Sequence, residues 1–80
     1  MKTIKFKSIP ENWWKEYIGL KNNTLRKPDG KDERFDILDE WLEVPFVLNI
    51  EIINRNGDSF TREVTDVTFW EGTYIISWRS

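Results

Sequence analysis

The sequence predicts an α+β fold: a small, mostly antiparallel sheet of about five strands, curled into a β-barrel or half-barrel, with two short helices. Three observations lead there. Eighty residues allow one domain and one modest core. Apolar residues alternate with polar ones in some segments and recur at three- and four-residue spacing in others, which separates strands from helices. Aromatic residues make up 15% of the chain and include five tryptophans, so the core is built from few but large side chains.

The elements follow in order. Thr3-Ile4-Lys5-Phe6-Lys7 alternates as a half-buried strand does. Ser8 and Glu11 have capping-box spacing, and Pro10 falls in a first helical turn, where its missing donor is harmless. Trp13, Trp14, Tyr17 and Ile18 then give a helical face, and Gly19 stands where a left-handed C-cap is wanted. Trp13 and Trp14 are adjacent, hence about 100° apart around the helix, so one is expected in the core and the other at its rim.

A short strand is expected over residues 23–27, and Pro28-Asp29-Gly30-Lys31 is a turn by composition. Asp32 can cap a second helix whose stripe is Phe35, Leu38, Trp41 and Leu42, with Asp36, Asp39, Glu40 and Glu43 facing water; Pro45 stops it. Residues 46–54 read as a strand, and Arg55-Asn56-Gly57 as a three-residue hairpin loop with glycine at the αL position. That loop pairs Asn54 with Asp58, which sets Ile52 against Phe60, Ile50 against Arg62 and Leu48 against Val64. Arg62 thereby lands on the apolar face, where a guanidinium must snorkel, pair or line a pocket. Residues 73–78 form a last strand, rich in β-branched and aromatic side chains.

Composition excludes several functions. Without cysteine there is neither a disulfide framework nor a thiolate metal site, and without histidine the usual zinc and triad chemistries are missing; no metal and no cofactor is expected. No apolar run approaches the roughly 18 residues of a membrane span, and the first residues lack the apolar stretch of a secretory signal, so a cytoplasmic protein with no membrane partner is expected. The net charge of −2 conceals a polarity: residues 1–34 carry nine Lys or Arg against five Asp or Glu, and residues 35–80 carry three against nine. Such a chain is no general polycation, and any nucleic-acid contact has to be a local pocket.

The most informative segment is Gly19-Leu20-Lys21-Asn22-Asn23-Thr24-Leu25-Arg26, where a helix hands over to a strand. Strand alternation projects Thr24 and Arg26 to one side, and Lys21 can reach the same spot. The bland alternative is a helix end, a turn and two solvated cations. The segment resembles the G-x-K-x-x-T-x-R signature of ASCH domains, members of the PUA-like superfamily of small β-barrels implicated in RNA binding. In place of the family's Gly-Asp turn, Arg34-Phe35-Asp36-Ile37-Leu38 has helical spacing, which suggests a short phage- or bacterial-type variant.

The resemblance implies a module that binds RNA or a nucleotide through Lys21, Asn23, Thr24, Arg26 and Arg34, with Arg62 nearby and Trp13 or Trp70 as a stacking platform. Both tryptophans have an ordinary alternative as core residues. The resemblance also admits an enzyme. Small amidohydrolases of the family that act on an N4-acylated cytidine use a lysine and a threonine of this signature with a later glutamate, which would make Lys21 and Thr24 catalytic and Glu71 or Glu63 the carboxylate. A third alternative is a phage-type protein-binding inhibitor presenting Glu63 and Asp66, or the acidic row of the second helix, to a basic protein partner.

Overall fold

A computed structural model describes residues 2–79. In chain order the elements are β1 (Lys2–Lys7), α1 (Pro10–Tyr17), β2 (Asn23–Arg26), α2 (Glu33–Glu43), β3 (Leu48–Ile53), β4 (Ser59–Trp70) and β5 (Thr73–Trp78). The five strands form one sheet in the order β1-β3-β4-β5-β2. β1 runs parallel to β3, and the other three pairings are antiparallel. The sheet curls into a half-barrel, and the two helices complete a small α+β fold.

The curl originates in β4. Its first half pairs with β3, with Ile52 opposite Phe60 and Ile50 opposite Arg62, the register expected from the Arg55-Asn56-Gly57 loop. Gly57 takes φ +88°, and Asn54 Oδ1 accepts from the amides of Asn56 and Asp58, which locks that loop. Its second half pairs with β5, and the register slips between Val64 and Asp66. An extra residue in one strand increases local twist and bends it, so a single 12-residue strand serves both sides of the curve. The slip also changes which side chains face inward: Phe60 and Val64 keep period two, and Val67 follows three residues later. A two-residue turn, Glu71-Gly72, joins β4 to β5 with φ of 48° and 77°, the left-handed pair that matches the twist of a hairpin.

The concave side holds the core. Ile4, Phe6, Leu48, Ile50, Ile52, Phe60, Val64, Val67, Tyr74, Ile76 and Trp78 come from strands, while Trp13 comes from α1 and Phe35 and Leu38 from α2. Trp13 and Trp14 divide as expected: Trp13 is buried, with its indole N–H donated to the Ile52 carbonyl at 2.9 Å, and Trp14 is 56% exposed. Asp32 caps α2 by accepting from the Arg34 amide.

Two local expectations are corrected. α1 has no side-chain cap: Ile9 occupies the N-cap position, and the Ser8 hydroxyl donates to Glu16 Oε1 at 3.1 Å. A charge-assisted bond to a buried carboxylate outcompetes a bond to a helix-end amide. β3 starts at Leu48, because the Phe46 carbonyl turns away to accept the Trp41 indole N–H at 3.0 Å.

The two edges of the curled sheet approach one another. Arg26, on edge strand β2, donates Nη1 to the Lys7 carbonyl of edge strand β1 at 2.9 Å. Arg34 donates to the Lys5 carbonyl at 2.7 Å. Both guanidiniums lie over the Phe6 ring, 4.9 and 4.2 Å from its centroid, where cation–π attraction adds to the hydrogen bonds.

Candidate functional site

The corner between α1 and β2 is built by local rules. Gly19, at φ +88°, ends the helix by turning the chain left-handed, which puts Lys21 back beside the helix it has just left. β2 then alternates: Thr24 and Arg26 stand opposite Ile76 and Tyr74 on the inner face, and Leu25 points outward. Arg26 Nε donates to Thr24 Oγ1 at 2.9 Å. Lys7, Ser8, Asn12, Glu16, Lys21, Thr24 and Arg26 surround one concavity of about 430 Å³, with Ile9 and Leu25 at its apolar rim.

At the centre is Glu16, which the sequence reading did not single out. It is 1% exposed, although it lies on a surface helix. Oε1 accepts from Ser8, while Oε2 lies 3.6 Å from Lys21 Nζ, an ion pair with no hydrogen bond to that oxygen. Among the described residues, only Glu16 Oε2 and the Trp78 indole nitrogen are buried side-chain polar atoms without a hydrogen-bond partner. Glu16 is among the residues surrounding the concavity. The available signal was spacing: Glu16 follows the buried Trp13 by three residues and therefore shares its face.

The cations around this corner differ in what they already hold. Burial pulls the Arg26 guanidinium below arginine's ordinary value; the Glu16 charge opposes that shift and the Arg34 charge reinforces it. Arg34 is held above its ordinary value chiefly by its hydrogen bonds to the Asp32 carboxylate, and Asp32 is held below its own by the same side chain and by the Arg34 amide. Arg34 thus belongs to a neighbouring concavity of about 600 Å³, shared with Lys5, Phe6, Lys7 and Arg26. Lys7 and Lys27, at that rim, have no ion-pair partner among the described residues.

The other candidates lie apart from the Thr24 concavity. Asn23 stands opposite Ser77 on the outer face of β2. Arg62 donates to the Tyr17 carbonyl at 3.3 Å and lies over the Phe60 ring at 4.7 Å, so the guanidinium on the apolar face reaches the C-terminal end of α1, where a cation is favoured. Trp13 is a core residue stacked on Tyr17 at 5.2 Å, and Trp70 is 66% exposed near the Glu71-Gly72 turn. Glu63 is exposed opposite Asn49, and Glu71 is in the turn itself; neither lines the concavity.

No group of acidic side chains that could hold a metal ion occurs among the described residues, and no helix among them is long and apolar enough to cross a membrane. No family model matches the chain, and neither a curated protein nor a solved structure matches it.

Proposed function

We propose that the chain is a small ASCH-like module that binds a nucleotide, as part of single-stranded RNA, in the cleft at the α1–β2 corner. The observation that carries this reading is the convergence of Lys21, Thr24 and Arg26 on one concavity around a buried carboxylate. A hollow with donors, an acceptor and apolar edges suits a base, and the unpaired Lys7 and Lys27 next to it suit a phosphate backbone. With so few cations, binding should weaken only gently with salt: two to three phosphate contacts correspond to a log–log slope of roughly −1.4 to −2 on single strands. The test is anisotropy of a labelled hexaribonucleotide at two salt concentrations. Saturable binding with a shallow slope supports the module, and no change at any salt overturns it.

A second reading, the amidohydrolase, is favoured by one specific observation. The Glu16–Lys21 pair stands in the same concavity as the buried Thr24 hydroxyl, in the place where a carboxylate was expected from Glu71 or Glu63. A threonine is a weak nucleophile without an adjacent base. In the reaction, Thr24 Oγ adds to the acyl carbon as its hydroxyl proton passes to the Glu16–Lys21 pair. The base amine leaves with that proton, and water releases the acid. Incubation with N4-acetylcytidine should yield cytidine and acetate, and Thr24→Ala should stop the release; no turnover by the unaltered chain removes this reading and leaves the module.

A further inference from the structure

Resting on the binding reading, we infer that Glu16 Oε2 is the atom that recognises the ligand, and that it does so by accepting an N–H from a nucleobase edge. The phosphates therefore lie outside the Glu16 hollow.

The inference follows from hydrogen-bond accounting. Buried polar atoms are paired in folded proteins, and an exception calls for an explanation. Glu16 has the burial of a core residue, one oxygen engaged by Ser8 and the other without a donor, and it is among the residues that surround the concavity. Lys21 Nζ, at 3.6 Å, offsets the charge and leaves the oxygen's hydrogen-bonding capacity unfilled. A ligand entering here regains that bond only if it brings a donor.

The neighbours specify what flanks that donor. Thr24 Oγ1 already accepts from Arg26 and still has its hydroxyl proton to donate. Lys21 carries three donors and no acceptor. Around the free carboxylate oxygen stand the Thr24 hydroxyl and the Lys21 ammonium, with Lys7, Asn12 and Arg26 completing the lining, a set that complements an edge where an N–H adjoins a ring nitrogen or a carbonyl. Nucleobases have such edges. A backbone phosphodiester has only acceptors, and its charge would face a buried carboxylate. The anion belongs at Lys7, which the two concavities share, and at Lys27 in the neighbouring one.

The test compares two labelled hexamers, oligoadenylate and an abasic ribose-phosphate chain of the same length, on the unaltered chain and on Glu16→Gln. The abasic chain should bind at least tenfold more weakly than oligoadenylate. Glu16→Gln, which can turn an amide N–H toward the base where the carboxylate accepted, should lose tenfold or more for oligoadenylate and leave the abasic affinity unchanged or higher. Equal binding of the two hexamers by the unaltered chain overturns the inference and leaves a backbone-binding module standing. An equal change for both hexamers in Glu16→Gln also overturns it, because Glu16 would then act only through charge or structure. Binding of neither hexamer removes the module reading and this inference together. Should Glu16→Gln fail to fold by circular dichroism, competition by adenosine against inorganic phosphate on the unaltered chain decides: displacement by adenosine alone supports the inference, and displacement by phosphate alone overturns it.

Discussion

Glu16 and Asp39 make the same kind of contact in two different settings. Each carboxylate accepts a neutral hydroxyl, from Ser8 in one case and from Tyr74 in the other, and each lines a concavity. Asp39 is an exposed residue on α2, so water can satisfy whatever Tyr74 does not. Glu16 is sealed, so its second oxygen has only what the concavity brings. Burial therefore separates a carboxylate whose free oxygen water can satisfy from one whose free oxygen is left without a donor.

The comparison can be broken at several points. The largest effect is expected from Arg26→Ala, which removes the donor to buried Thr24 and the bridge to the Lys7 carbonyl; unfolding in urea should show a loss of about 2–3 kcal/mol. Next, Glu16→Ala should weaken hexanucleotide binding tenfold or more, about 1.4 kcal/mol, whereas Asp39→Ala should stay within twofold. Equal losses at both sites would erase the distinction drawn between them. Removing the Asp39 acceptor should instead appear in stability: Asp39→Leu is expected to cost about 1 kcal/mol through the Tyr74 hydroxyl, read from the urea midpoint.

The smallest effect is a titration. Burial, the hydrogen bond to Asp39 and the charges of Asp39 and Asp36 push the Tyr74 phenol up to about 12. Its neutral form is the one the fold favours, so this contribution is whole below pH 10, where the unfolded phenol is also neutral. It declines as pH rises from 10 to 12. Tyrosinate absorbance should place Tyr74 near 12, and Asp39→Asn should move it down; an unmoved titration would show that Asp39 contributes nothing there.

Much of this arrangement was legible in the sequence, for identifiable reasons. The β3–β4 register followed from loop length together with the side-chain period, and its odd consequence, Arg62 on the apolar face, followed too. The Gly19 cap and the shared face of Thr24 and Arg26 followed from helix termination and strand alternation. Glu16 did not, because a helical stripe is found by looking for apolar residues, and a buried carboxylate interrupts the stripe it belongs to. Tyr17 and Ile18, counted on that stripe, are half exposed as a result. The full length of β4 was hidden by the slip at residues 64–66, which replaces period two with a gap of three between Val64 and Val67.

The guanidiniums on β1 have a consequence for association. An edge strand with free carbonyls is a template on which another chain can add a strand, the first step toward aggregation. Here the Lys5 and Lys7 carbonyls are already occupied, and two stacked cations stand in the approach path. On the other edge, β2 offers only four residues. The half-barrel thus stays open in shape while leaving intruding strands little to zip onto.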